Sequence, residues 1–272
     1  MSNLSISKAW DETRALFASE GRLFASVALA LTGVPTMISG LIEPQGSSLD
    51  GKSPLWVDLL TLAAGLIALI GQLALVRLAL KPSITVAGAI AHGARRMPIY
   101  FLTALIVGLG LVVLAIPLLI AAMLSGIKLD QAATAMTPAM AVLVVIFVIV
   151  ALFLGVRMLM GTPVASAEPA GPIGIITRSW HLTNGKFWKL LGFLVIILIG
   201  AGVVLMAIGA IVGSVATFAL GPLEPMSTSA LVLSLCEGLF NAAFTALFAV
   251  MLARIYVQLS GRDTVTAPTS GT

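Results

Sequence analysis

Polar and apolar positions in this chain segregate into long blocks rather than alternating. Between Arg22 and Glu43 lie 20 residues without a formal charge, between Asp58 and Arg77 lie 18, and between Arg96 and Lys128 lie 31. The next windows hold 26 residues between Asp130 and Arg157 and 34 between Lys189 and Glu224. After Glu224, only Glu237 interrupts the run to Arg254. An apolar helix of roughly 20 residues crosses a bilayer. The windows predict six transmembrane helices, near 23–42, 57–80, 99–124, 139–161, 188–218 and 230–257. Helices satisfy their own backbone in lipid. The strands of an outer-membrane barrel would alternate polar and apolar residues, and these runs do not. Pro35 and Pro117 fall inside spans 1 and 3 and are expected to kink them. Residues 1–22 include Asp11, Glu12 and Glu20 in an amphipathic pattern, unlike a cleavable signal peptide, so the first span is expected to stay in the mature protein.

The segments that join spans on the basic side carry their own periodicity. Residues 5–20 place Ile6, Trp10, Thr13 and Phe17 on one helical face. Residues 83–97 offer Ile84, Ala87, Ile90, Ala91, Ala94 and Met97, with Ser83 as N-cap after Pro82. Residues 172–184 begin at Gly171-Pro172, carry Ile173, Ile176 and Trp180 on one face, and stop at Asn184-Gly185. Each segment predicts an amphipathic helix lying in the membrane interface. Thr13-Arg14 aligns with Thr177-Arg178, and Gly21-Arg22-Leu23-Phe24 with Gly185-Lys186-Phe187-Trp188, both at a shift of 164 residues. The middle segment matches only in pattern.

The predicted fold class is therefore all-α: a polytopic membrane protein with six transmembrane helices, three interfacial amphipathic helices and a three-fold repeat of amphipathic helix plus hairpin. The repeat units are 5–82, 83–170 and 171–258, within one membrane domain over 1–260, followed by a cytoplasmic tail at 261–272. Two spans per unit make the repeats parallel, about an axis along the membrane normal. Chance likeness of membrane-flanking segments is the competing explanation. Gly209 with Gly213 in span 5, and Gly238 with Ala242 in span 6, are small-residue pairs that let helices approach, chiefly within the one chain.

Composition agrees with the blocks. Of 272 residues, 59% are hydrophobic and 10% charged, where a soluble domain carries about 25% charge. The mean hydropathy is +1.11. A soluble globular fold and a disordered chain are both excluded. The net charge of +4 says little until it is mapped. Thirteen of the 15 Lys and Arg residues fall on one side of the six-span layout, and only Lys52 and Lys128 on the other. By the positive-inside rule both termini are cytoplasmic, here in a bacterial inner membrane. Glu43, Asp50, Asp58, Asp130 and Glu224 lie on the opposite side. Nucleic-acid binding is not expected, since these cations belong at the bilayer surface.

Candidate chemistry is sparse. Cys236 stands alone in an apolar run, where a buried, inert thiol is expected. His92 and His181 form no cluster with metal spacing, and no cofactor is expected. Glu237 is an ionisable group inside a span, a costly position usually tied to function or pairing. Asn241 follows one turn later, and Gln72 is a further polar group in span 2. Two readings of this set stay open: a proton or cation site, or hydrogen-bonded packing between helices. Arg178, Lys186 and Lys189 with Trp180 and Trp188, and Arg95 and Arg96 with Tyr100, are candidates to bind anionic lipid headgroups. Ordinary topology anchors explain the same residues, and Arg178 with Glu168 is an alternative pair that would dock the third interfacial helix. No nucleophile elbow, P-loop, zinc-protease or kinase motif is present, so no enzyme activity is expected.

One stretch is familiar in pattern. Glu168-Pro169-Ala170-Gly171-Pro172 precedes Ile176-Thr177-Arg178-Ser179-Trp180-His181-Leu182-Thr183-Asn184-Gly185-Lys186-Phe187-Trp188. It resembles the membrane domain of the glycerophosphoryl diester phosphodiesterase membrane-domain family over residues 157–192. The six-span layout and Ile255-Tyr256-Val257-Gln258-Leu259 extend the likeness loosely. The resemblance implies a bacterial inner-membrane protein. It does not imply phosphodiesterase activity, because the His and carboxylates of that family's separate catalytic domain have no counterpart here. The function expected is a non-catalytic, lipid-associated structural or accessory role, with membrane lipids as partners. The alternative is a small-solute or ion transporter using Glu237, Asn241 and Gln72, which would need a water-accessible cavity reaching Glu237.

Overall fold

The computed structural model describes residues 4–42, 54–81, 83–124 and 138–261. Glu43, Asp50, Lys52, Pro82, Lys128, Asp130 and the tail from Arg262 onward lie outside the described residues. Among the described residues every regular element is a helix. Six helical segments are long and apolar enough to cross a membrane: Ile6–Ile42, Leu55–Leu80, Val86–Ala121, Met140–Ala167, Phe187–Leu220 and Thr228–Ser260. The chain is a multi-pass membrane protein.

The first segment comprises α1 (Ile6–Ala28), a π-helical turn (Leu29–Gly33) and α2 (Val34–Ile42). Ser5 caps it, its hydroxyl accepting from the Lys8 N–H at 3.3 Å. Glu20 departs from helical geometry at φ −128°, ψ 18°. That break separates the predicted interfacial stretch from the span without ending the helix. The π turn falls just before Pro35, whose missing N–H leaves a gap in the hydrogen-bond ladder. α3 covers Leu55–Leu80 and α4 Val86–Leu124. α4 runs through Pro98 and Pro117, and its 39 residues measure about 58 Å, roughly twice the hydrocarbon thickness. The second predicted interfacial helix is thus the overhanging start of α4. Its cap is Thr85, whose hydroxyl accepts from the Gly88 N–H at 3.2 Å, and not Ser83, which sits in the turn before it.

Span 4 ends earlier than predicted. α5 stops at Met158, and a separate short helix, α6 (Gly161–Ala167), folds into the bundle behind Gly161-Thr162-Pro163. α7 (Pro172–Thr183) is the one predicted interfacial segment that stays a separate helix. Gly185, at φ 72°, makes the turn after it in a conformation that side chains resist. α8 (Phe187–Ala207), a π turn and α9 (Gly213–Leu220) form span 5, and α10 (Thr228–Ser260) forms span 6.

α10 is the central helix. It is buried along much of its length and meets α1, α2, α3, α6 and α9. Close packing rests on small residues. A Cβ on Gly33 would lie 3.0 Å from the Gly238 carbonyl oxygen, and one on Gly93 would lie 2.7 Å from that of Ile70. The predicted Gly238 and Ala242 pair packs here, against Gly33 of the π turn and, at Gly238, Met37 of α2. The Gly209 and Gly213 pair does not: among the described residues a Cβ on Gly209 would meet nothing within 4 Å, and one on Gly213 would meet only Leu233, at 3.9 Å. α5 and α8 lie at the periphery and present Val142, Ile146, Ile149, Ile196 and Ile199 outward, as lipid-facing helices do.

The three predicted apolar faces divide between the bundle and the outside. Ala9 and Thr13 are buried, whereas Trp10 is exposed. On α4 the buried positions are Ala89 and Gly93, not Ala87, Ala91 and Ala94. On α7 they are Ile175, Ser179, Leu182 and Thr183, while Ile173 and Trp180 point outward. Cys236 is half-buried. A helix between a protein and a lipid surface has two apolar neighbours, and periodicity does not tell which side faces which.

Candidate functional site

The charged end of the bundle is organised around α6. Its carbonyl end, left without intrahelical donors, attracts cations. Arg77 Nη1 on α3 donates to the Ser166 carbonyl at 3.0 Å, and His92 Nε2 on α4 lies 3.0 Å from the same oxygen. A carbonyl can only accept, so Nε2 carries the proton. Arg96 donates to the Glu168 carbonyl at 2.9 Å and the Ala170 carbonyl at 3.2 Å. The Ser166 hydroxyl in turn donates to the Leu73 carbonyl at 3.0 Å, and Tyr100 shares a 2.8 Å hydrogen bond with Thr162. The start of α4 and the end of α3 are thereby bound to one buried polar turn.

The Glu168 side chain holds the next layer. One carboxylate oxygen accepts from Arg178 Nε on α7 at 3.2 Å and from the Tyr256 hydroxyl on α10 at 2.7 Å. Ser179 donates to the Arg157 carbonyl at 2.6 Å, which fixes α7 against α5. The Arg157 guanidinium sits over Trp180, Phe153 and Phe187, at 4.9, 5.2 and 5.8 Å from the ring centroids. Each position of the Arg-Ser-Trp stretch therefore has a docking role. Ser179 is not paired with His181 as a nucleophile would be, since its hydroxyl proton goes to Arg157.

The sequence-predicted residues divide accordingly. Arg96 and Arg178 direct their donors inward, so they are anchors of the fold more than free headgroup ligands. Tyr100 is likewise turned to Thr162. Arg95 and Lys189 are exposed, Lys186 is half-buried, Trp180 is exposed above Arg157, and Trp188 is 80% exposed. Glu237 is 8% exposed on α10, its carboxylate 3.8 Å from where a Cβ on Gly40 would lie. Asn241 accepts from Thr245 at 3.4 Å, and Gln72 is half-buried on α3. Sequence reasoning missed Ser166, Arg254 and Gln258. Only Arg254, the lone cation near the end of span 6, left a signal.

Among the described residues, three clefts can be compared with these positions. One, of about 540 Å³, lies between the start of α1 and α8, with Trp10, Trp188 and Lys189 along walls of Ile6, Gly192, Phe193, Ile196, Ile197 and Met251. Lys189 Nζ donates to the Leu4 carbonyl at 3.3 Å and keeps further N–H donors. A second, of about 440 Å³, is apolar, between Phe17, Gly21, Ala25 and Leu29 of the first segment and Leu239, Ala242, Ala243, Ala246 and Leu247 of α10. A third, of about 380 Å³, is polar and includes Lys8, Glu12, Arg254 and Gln258. Neither Glu237, Asn241 nor Gln72 lines any of these three. Among the described residues no group of three or more His, Cys, Asp or Glu is placed to hold a metal ion.

No curated protein and no solved structure matches the chain. The family match carries no link to the phosphodiesterase membrane domain that residues 157–192 resemble. With a family model matching residues 4–259, the chain belongs to the family described as a domain of unknown function, DUF7847.

Proposed function

We propose that this protein is a non-catalytic, lipid-associated structural or accessory protein of a bacterial inner membrane, with both termini cytoplasmic. The observation that carries the reading is the cleft between α1 and α8. Its walls are apolar along the span, and Lys189 stands with the Trp10 and Trp188 rings at its charged end. Indole rings favour the headgroup level of a bilayer, and a cation there attracts an anionic leaflet by about 1 kcal/mol. An acyl chain along Phe193, Ile196 and Met251 would place its headgroup at Lys189. The outward Ile173 and Trp180 of α7 fit a helix that dips into the same interface.

The test is native mass spectrometry of the purified full chain with phosphatidylglycerol and phosphatidylcholine. Retention should favour phosphatidylglycerol, and Lys189→Gln should weaken it about fivefold. Equal retention of the two lipids by wild type and K189Q would sink the reading.

A further inference from the structure

A single peptide group ties the start of α1 to two other helices. The Leu4 carbonyl accepts from Lys189 Nζ on α8 at 3.3 Å, and the Ser5 N–H donates to Gln258 Oε1 on α10 at 3.0 Å. Both bonds belong to the Leu4–Ser5 amide. A cation on its carbonyl side polarises an amide and strengthens the bond its N–H donates. Leu4 itself is 3% exposed and belongs to the buried cluster that includes Leu190, Phe193 and Met251. Ile6, Ser7 and Trp10 follow directly and form one wall of the α1–α8 cleft, to which Lys189 also belongs. Gln258 does not line that cleft. At its far end this stretch of α1 is separated from the span by the non-helical Glu20. The wall is therefore set by its own docking: the buried Ala9 and Thr13 along it, and the amide clasp at its start.

We propose that this clasp couples the docking of α1 to the binding of an anionic lipid headgroup at Lys189, with Gln258 as a positioning residue. The inference rests on the lipid reading of the α1–α8 cleft and adds its regulation. Lys189 is exposed, and an untethered lysine side chain samples many rotamers. Held by the Leu4 carbonyl, its ammonium stays at the cleft with further N–H donors to offer, so a phosphate binds without having to order it first. Conversely, a phosphate that holds the ammonium leaves it in place for Leu4. Two events that share one ordered side chain favour each other, and the coupling is reciprocal. A headgroup at Lys189 should tighten the front of α1, and loosening the front of α1 should weaken the headgroup. Phosphatidylcholine, whose phosphate is offset by its own cation, should tighten it less.

The test uses the full chain in detergent with added phosphatidylglycerol or phosphatidylcholine. Hydrogen–deuterium exchange over residues 4–19 reads the docking of α1, and native mass spectrometry reads lipid retention. Phosphatidylglycerol should slow exchange in wild type about fivefold more than phosphatidylcholine does, and Lys189→Gln should abolish that difference. Gln258→Met keeps the bulk and removes the acceptor. It should speed exchange without lipid and retain phosphatidylglycerol about threefold more weakly. Gln258→Glu keeps an oxygen for the Ser5 N–H and should restore both. A merely structural Gln258 would alter exchange and leave the retention of phosphatidylglycerol as in wild type. Equal retention of the two lipids by wild type overturns the lipid reading and this inference with it. A preference for phosphatidylglycerol that K189Q loses, combined with exchange that the lipid leaves unchanged, overturns the coupling alone. Retention by Q258M equal to that of wild type does the same. The exchange comparison in wild type needs no variant, so a poorly folded Q258M does not spare the proposal.

Discussion

Glu168→Ala should be the most damaging single change at the charged end, and the structure says how the loss divides. The Glu168 side chain is 15% exposed and that of Arg178 is 42% exposed, so their ion pair is partly screened. Such a pair contributes about 0.5 kcal/mol. Tyr256 is 1% exposed, and its hydroxyl donates to the same carboxylate oxygen at 2.7 Å. Hydrogen bonds to charged groups contribute about 1.5–3 kcal/mol. Those measured between membrane helices average about 0.6 and reach about 1.7 kcal/mol. A value near 1.5 kcal/mol follows for this buried, charge-assisted case. Arg96 binds the Glu168 main-chain carbonyl and is untouched by the substitution. E168A should therefore cost about 2 kcal/mol, Tyr256→Phe about 1.5 and Arg178→Gln about 0.5. Glu168→Gln, which keeps an acceptor but loses the charge, should fall near 1 kcal/mol. The assay is equilibrium unfolding in mixed micelles with increasing dodecyl sulfate, run as double-mutant cycles for Glu168 with Tyr256 and with Arg178. A coupling to Arg178 equal to or larger than that to Tyr256 would refute the reasoning.

Two further outcomes follow from the packing. Gly238→Ala puts a Cβ into overlap with Met37 Cγ and 2.9 Å from the Gly33 carbonyl oxygen, so the same unfolding assay should show a loss of about 1–3 kcal/mol. Gly209→Ala meets nothing within 4 Å and should be neutral or slightly stabilising, and a large loss there would show that this face is packed. Glu237→Gln should leave ion and proton flux into proteoliposomes at the level of wild type, whereas a loss of flux would favour the transporter reading. The same variant should unfold within about 1 kcal/mol of wild type, because Gln retains the size and an acceptor.

The sparse charges and long apolar windows were enough to read six spans from the sequence, because lipid leaves a chain few ways to satisfy its backbone. The Gly171-Pro172 start and the Asn184-Gly185 stop of α7 were also legible, since both are local chemistry. Local chemistry likewise offered the pairing of Arg178 with Glu168 as one of three readings of that arginine. What periodicity left open was facing. Trp10, Ile173 and Trp180 lie outside, and Ala9, Ala89 and Ile175 inside, because lipid and protein core are both apolar and reward the same residues.

The remaining decisions needed the tertiary structure. α6 is seven residues long, too short to stand out within an apolar run, and only the cations arriving from α3 and α4 make its buried polar end tenable. Arg77 and Ser166 are 89 positions apart, and Ser5 and Gln258 are 253 apart. No local pattern contains such pairs, because each is set by how helices cross. Sequence alone sufficed for the solvent, for the six helices long and apolar enough to cross it and for the scarcity of the cations. Which of those cations hold the fold, and which are left beside an open cleft, follows from how α3, α4, α6 and α7 pack against one another beside the central α10.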